Sequence, residues 1–223
     1  MLTRELIRTG TYLDSFQDLP EQPRWSAQRI ESSMHETLAQ RDPAQPVWLF
    51  AYGSLIWNPC LRYEETQRAV LPGWHRSFCI RLLDGRANVQ LPGRMLALQA
   101  GGATAGVVFR LSENDLADEL LLVWVREMVH GLYRPIWASA DLADGRNVPT
   151  LTFVADTTHP VYERDSSIAA TSTIIAHASG HLGSNRDYLL QLESALKQYE
   201  LRDDYIAALA AAVRAQPTGD LTS

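Results

Sequence analysis

The chain has 223 residues, 46% of them apolar and 21% charged, close to an ordinary globular protein and far from a disordered one. That length suits one large domain, or one domain with appendages, and allows a substantial core. A formal net charge of −6 argues against a primary role on nucleic acid, which calls for a basic face.

A few local arginines would still suffice to receive an anionic small substrate. Two cysteines, Cys60 and Cys79, are too few for a disulfide framework or a Cys-rich zinc site. The start, Met1-Leu2-Thr3-Arg4-Glu5, carries charges where a signal peptide needs its apolar core. The longest aliphatic or aromatic run, Leu120 to Val125, is far short of the ~20 residues that span a bilayer. The expectation is a soluble, cytoplasmic protein with no membrane or nucleic-acid partner.

Residues 1–46 are expected to form an N-terminal helical extension and linker. A helix opens at Trp25-Ser26-Ala27-Gln28-Arg29-Ile30 and runs to about Leu38. Asp42-Pro43-Ala44-Gln45-Pro46 then reads as linker, because two prolines remove donors and push their predecessors to extended forms. From Val47 the signal is strand: 47–52, 67–82 broken at Leu71-Pro72-Gly73, then 94–99 and 105–111 around a hairpin-like Ala100-Gly101-Gly102 spacer.

Ser112 opens a helix that is expected to reach Val129 or His130, with Gly131 as its terminator. Two strands, 133–141 and 148–155, flank the turn Asp144-Gly145-Arg146-Asn147. Helices follow at 166–178, 186–199 and 203–214, and 216–223 reads as a flexible tail. The order predicts an α+β fold with a mixed or curled sheet, a helical C-terminal third and one main body over 47–215.

The stretch Val47-Trp48-Leu49-Phe50-Ala51-Tyr52-Gly53-Ser54-Leu55 raises the first functional question. A buried strand stops on Gly-Ser, either as a plain turn capped by Ser54 or as a nest of freed amides for a carboxylate or carbonyl oxygen. The G-x-S-x-G elbow is absent, so Ser54 is not read as a nucleophile.

Glu127 is the second candidate. It lies eleven residues after Leu116, within about 20° of the same helical face, and shares that stripe with Leu120 and Val123 while Arg126 points elsewhere. A desolvated carboxylate there has its pKa raised toward the range of a general base, whereas a helix-end glutamate in water or paired with an arginine does no chemistry.

Other signals are weaker. Arg94 starts a strand and could anchor a carboxylate, although a surface salt bridge is the more frequent outcome for such an arginine. Tyr133 and Tyr162 have hydroxyls suited to a pocket, or to core packing. His177 and His181 have i, i+4 spacing, but Ser179-Gly180 breaks the helix between them, so no metal is assigned. Gly180-His181-Leu182-Gly183-Ser184-Asn185 lacks the Walker ending and reads as a helix–helix loop with Asn185 as cap.

Taken in order, these pieces resemble the ChaC-type, glutathione-specific γ-glutamylcyclotransferases, in their bacterial form. The resemblance rests on Val47–Pro59, Gly-Trp-His-Arg-Ser-Phe-Cys (73–79), Pro-Gly-Arg-Met-Leu-Ala-Leu (92–98), Trp-Val-Arg-Glu-Met (124–128), Gly-Leu-Tyr-Arg-Pro (131–135) and Ala-Ser-Gly-His-Leu-Gly-Ser-Asn-Arg-Asp-Tyr-Leu (178–189). It implies a curled mixed β-barrel flanked by helices, with Glu127 as the acid–base residue. It also implies that Phe50, Ala51, Tyr52, Gly53, Ser54 and Leu55 hold the γ-glutamyl group.

Ala51 departs from the family's usual glycine, and its extra methyl is expected to narrow the pocket. The implied reaction is a lyase step that cleaves glutathione to 5-oxoproline and cysteinylglycine, with no cofactor and no metal. The alternatives are cyclisation of other γ-glutamyl amino acids or amines, or a non-catalytic γ-glutamyl-binding protein.

Overall fold

Five strands close into a barrel in the computed structural model, which describes residues 2–217. They are β1 (Trp48–Ala51), β2 (Glu65–Leu82), β3 (Gly93–Arg110), β4 (Tyr133–Leu142) and β5 (Asn147–Ala155), in the spatial order β1-β3-β2-β4-β5. Every pairing is antiparallel except β1 with β5, which is parallel and closes the ring. The sheet is therefore mixed and curled, as expected.

The two glycine-containing breaks sit opposite each other and do not end strands. β2 and β3 are each continuous, and their register shifts where Pro72 pairs with Ala103 and Trp74 with Ala100. Gly73, Gly101 and Gly102 all take positive φ at this bulge, which bends both long strands together. The Ala100-Gly101-Gly102 spacer is thus a shared bend, not a hairpin.

Helices cover the barrel. α1 (Arg4–Arg8), α2 (Thr11–Asp14) and α3 (Ala27–Leu38) come first, followed after β3 by a 3₁₀ turn (Glu113–Asp115) and α4 (Leu116–Glu127). After β5 come α5 (Ile168–His177), α6 (Asn185–Gln198) and α7 (Asp204–Arg214). A two-residue-strand hairpin, β6 (Ser179–Gly180) with β7 (Gly183–Ser184), joins α5 to α6 where a helix–helix loop was expected. Ser184, not Asn185, caps α6 by accepting from the Asp187 N–H. The flexible tail expected over 216–223 lies, from residue 218 onward, outside the described residues.

The core is one apolar body shared by barrel and helices. α4 contributes Leu120, Val123 and Trp124, all buried, and the Trp124 ring meets Phe153 of β5 edge-on at 4.9 Å. α3 adds Ile30 and Met34 to the same cluster. The N-terminal segment is tied down by charge as well: Arg4 grips the buried Glu119 of α4 through two bonds of 2.5 and 2.8 Å.

α4 stops earlier than its pattern suggests. Its last helical residue is Glu127, and Gly131, at positive φ, returns its N–H to the Met128 carbonyl at 3.2 Å. This ending places Glu127 at the mouth of the barrel.

Candidate active site

One cavity of about 680 Å³ opens at that mouth. Phe50, Tyr52, Gly53, Ser54 and Leu55 line it together with Glu127 and Tyr133. Residues alternate faces along a strand, so Phe50 and Tyr52 look in while Ala51 looks away. Ala51 is fully buried outside the cavity lining, and its methyl does not narrow the pocket as expected.

Beyond β1 the chain curls into a tight turn. Ile56 N–H returns to the Gly53 carbonyl at 2.9 Å and Asn58 N–H to the Ser54 carbonyl at 3.0 Å. The preceding amides are left over. Among the described residues those of Gly53 and Leu55 meet no protein acceptor, and that of Ser54 faces the Tyr188 hydroxyl. Such a run of amides suits a carboxylate or an oxyanion. Gly53 lies so close to Tyr188 that a Cβ on it would stand 3.0 Å from the phenolic oxygen.

Glu127 faces this turn. Its side chain is 16% exposed and its Oε1 lies 3.4 Å from Arg126 Nε. Burial raises the Glu127 carboxyl above its ordinary value, against the opposing pull of the Arg126 guanidinium.

Arg126 does not point elsewhere, as the helical wheel suggested. Its guanidinium donates to Ser54 Oγ at 2.6 Å and to the Asn58 carbonyl, and it is 7% exposed. The turn folds over the end of α4, so a long side chain reaches it from off the stripe. Ser54 Oγ is consequently an acceptor for Arg126, and among the described residues it caps no backbone group.

Tyrosines complete the surroundings. The Tyr188 phenol is pushed up to about 12 by burial and by the nearby Glu127 carboxylate. Tyr52 is raised well above its ordinary value for the same two reasons. Tyr133 is raised likewise by burial and by Tyr52 and Glu127, and its hydroxyl donates to the Leu96 carbonyl at 3.0 Å. Tyr12, from α2, is also raised by burial. All four stay neutral phenols near pH 7.

Arg94 and Tyr162 lie outside the cavity. Arg94 points to Glu163, 3.7 Å away, while its backbone N–H and carbonyl both bond the buried Asn185 amide at 2.8 Å. Tyr162 follows β5, bridges to Ile80 and accepts from Gln99 at 2.5 Å. His177 and His181 are separated by the helix end: the first meets the Thr173 carbonyl and the second faces Asp84 at 3.3 Å.

Several contributors were not singled out as site residues in the sequence. Arg76 of β2, with a fully buried side chain, donates to the Tyr52 carbonyl at 2.8 Å, to the Ala105 carbonyl at 2.8 Å and to Asp203 at 2.9 Å. It fixes the end of β1 from behind. An arginine beside the aromatic and aliphatic residues of the 74–83 strand segment was the available signal. Tyr12 and Phe16, from the N-terminal segment, close the other side of the cavity.

Gly180 sets the hairpin against the 84–87 turn. A Cβ there would lie 2.2 Å from the Ala87 carbonyl and 2.5 Å from that of Gly85. Gly180→Ala is therefore expected to destabilise the protein by roughly 1–3 kcal/mol, the usual scale of overpacking, read by thermal denaturation. An unchanged melting temperature would contradict this backbone-on-backbone contact.

A barrel with an amide turn at the end of its first strand and a buried acid on the adjoining helix defines a γ-glutamylcyclotransferase-like fold. The chain shares that fold with the crystal structure of a glutathione-specific γ-glutamylcyclotransferase from yeast, at a TM-score of 0.70 and 22% identity, covering 76% of this chain and 96% of that one. Residues 47–216 match the family model of ChaC-like proteins, and the chain belongs to that family. It is 44% identical to the glutathione-specific gamma-glutamylcyclotransferase of Escherichia coli strain K12, over 96% of this chain and 93% of that protein. Identity to glutathione-specific gamma-glutamylcyclotransferase 1 of Homo sapiens is 29%, over 77% of this chain and 80% of that protein. No helix among the described residues is long and apolar enough to cross a membrane.

Proposed function

We propose that this chain cleaves glutathione to 5-oxoproline and cysteinylglycine. The observation that carries the reading is the shared cavity wall: a buried Glu127 carboxyl faces a turn in which, among the described residues, the Gly53 and Leu55 amides lack protein acceptors.

In this reading the substrate supplies its own nucleophile. The α-amine of the γ-glutamyl group attacks the γ-carbonyl, a carbon–nitrogen bond forms, and the bond to the cysteinyl nitrogen breaks. An α-amine has a pKa of about 8, so at neutral pH it must shed a proton first. Glu127 takes that proton and returns it to the leaving nitrogen; the attacking nitrogen sheds a second proton as the lactam forms, and the freed cysteinylglycine amine takes one up as its ammonium, so no proton is gained or lost overall. The amides of residues 53–55 hold the substrate carboxylate or the developing oxyanion. The enclosing tyrosines help fold the γ-glutamyl chain into a near-attack shape.

The acid limb of kcat/KM follows from the burial of Glu127. A base must be deprotonated to act, and its folded pKa is raised, so activity climbs with pH only above the ordinary glutamate value of about 4.3. The same shift makes the deprotonated acid a cost to folding, so this group's contribution to stability falls as pH rises through its folded pKa. A kcat/KM profile from pH 4 to 8 checks the first claim, and a limb at or below the ordinary value would contradict it.

The substrate is tested by supplying reduced glutathione or γ-Glu-Ala and quantifying 5-oxoproline by mass spectrometry. Product from glutathione and little from γ-Glu-Ala is expected. The reverse preference would move the protein to γ-glutamyl amino acids, and no product from either would leave a binding protein. A cytoplasmic setting accompanies the reading, since glutathione keeps thiols reduced there and Cys60 and Cys79 are both free.

A further inference from the structure

The cavity is lined by more residues than the γ-glutamyl chemistry uses. Its far end is polar, is walled in part by the N-terminal segment, and has no role in the chemistry above. Arg86 stands there, on the turn held against the β6–β7 hairpin. One guanidinium nitrogen donates to the Ser184 carbonyl at 3.0 Å. Among the described residues no carboxylate lies within ion-pairing distance of it, although Asp84 is two residues away and engaged with His181 and two backbone amides. A guanidinium has five N–H donors, so most of its capacity is unspent.

Gln22 lines the same end and is completely buried. Its carbonyl oxygen accepts from the Leu83 N–H at 3.3 Å, while its amide nitrogen has no partner. A buried polar group left unmatched costs free energy unless something occupies the space before it.

Arg86 and the amide turn are one tyrosine apart. The Arg86 guanidinium lies 5.6 Å from the Tyr188 ring centre, and the phenolic oxygen of that ring closes on Gly53. Two extended residues span at most about 7 Å, longer than the 5.6 Å from the guanidinium to that ring centre. A dipeptide leaving from the turn would carry its C-terminus to Arg86.

We propose that this end of the cavity is the cysteinylglycine subsite, with Arg86 receiving the glycyl carboxylate and the Gln22 amide donating to the peptide carbonyl. The inference rests on the glutathione reading. It makes the N-terminal segment, which precedes the residues matching the family model, part of what separates the tripeptide from shorter γ-glutamyl compounds.

The test compares glutathione with its glycinamide, which lacks only the carboxylate. Wild-type protein is expected to show a KM for the glycinamide about 10- to 100-fold higher at similar kcat, the scale of a hydrogen-bonded charge. Arg86→Ala is expected to raise the KM for glutathione by the same factor and to change that for the glycinamide little. Equal loss on both substrates, or none, would overturn the assignment. Binding of both compounds to the Glu127→Gln protein, measured by calorimetry, separates this question from turnover. A preference for glutathione that disappears with Arg86→Ala supports the subsite even if the cyclisation reading fails, and equal binding of the two compounds overturns it.

Discussion

Glu127→Gln is expected to lower kcat by about 10²- to 10⁴-fold, the range general acid–base catalysis supplies, while KM for glutathione moves only a few-fold. The amide replaces the carboxyl with the same shape but cannot accept the ammonium proton. It also leaves the cavity wall intact. Arg126 still bonds Ser54 and the Asn58 carbonyl, so the turn does not depend on the carboxylate for its position. The lost 3.4 Å contact between Arg126 and Glu127 is modest beside those two. Steady-state kinetics with reduced glutathione read the split directly. A variant with near wild-type kcat would remove Glu127 from the mechanism.

Arg76→Leu should have the largest effect on stability. The substitution strands two buried carbonyls, of Tyr52 and Ala105, and leaves Asp203 without its cation at a position 14% exposed. Breaking a buried pair by removing one partner costs about 3–5 kcal/mol. For a chain of this size that corresponds to a fall in Tm of roughly 6–20 °C, at 2–4 °C per kcal/mol. Activity should fall further than stability alone explains, because the Tyr52 carbonyl opens the amide turn. Thermal denaturation with activity assayed well below Tm separates the two effects. A Tm within a degree or two of wild type would show that Arg76 is not the buttress described.

The element types were largely legible, because strand alternation and helical stripes are local signals. The position of Glu127 came from such a stripe: Leu116, Leu120 and Val123 place it facing inward. What failed was non-local. Ala100-Gly101-Gly102 carried the composition of a hairpin, and only its pairing opposite Pro72-Gly73 turns it into a bend. Barrel closure depends on the parallel contact of Trp48 with Thr150, about a hundred residues away, which no local pattern encodes.

The site was half legible for the same reason. Gly53-Ser54 announces itself by interrupting an apolar run. Arg126 reads as an outward residue until the 53–58 turn is seen to fold over the end of α4. Gln22 and Tyr12 sit in a segment with few apolar residues and no period, so their place in the cavity wall appears only in three dimensions. Arg94 had two readings, an anion anchor or a salt bridge, and in the fold it faces Glu163, as the second has it, and not the cavity.

The central claim is that the substrate's own amine, not water, cleaves the γ-glutamyl bond. Incubation with reduced glutathione in water enriched in heavy oxygen tests it, with both products analysed by mass spectrometry. The account predicts 5-oxoproline and cysteinylglycine, neither carrying label beyond background. Glutamate bearing one heavy oxygen in its carboxylate would contradict it, since that product requires water as the nucleophile.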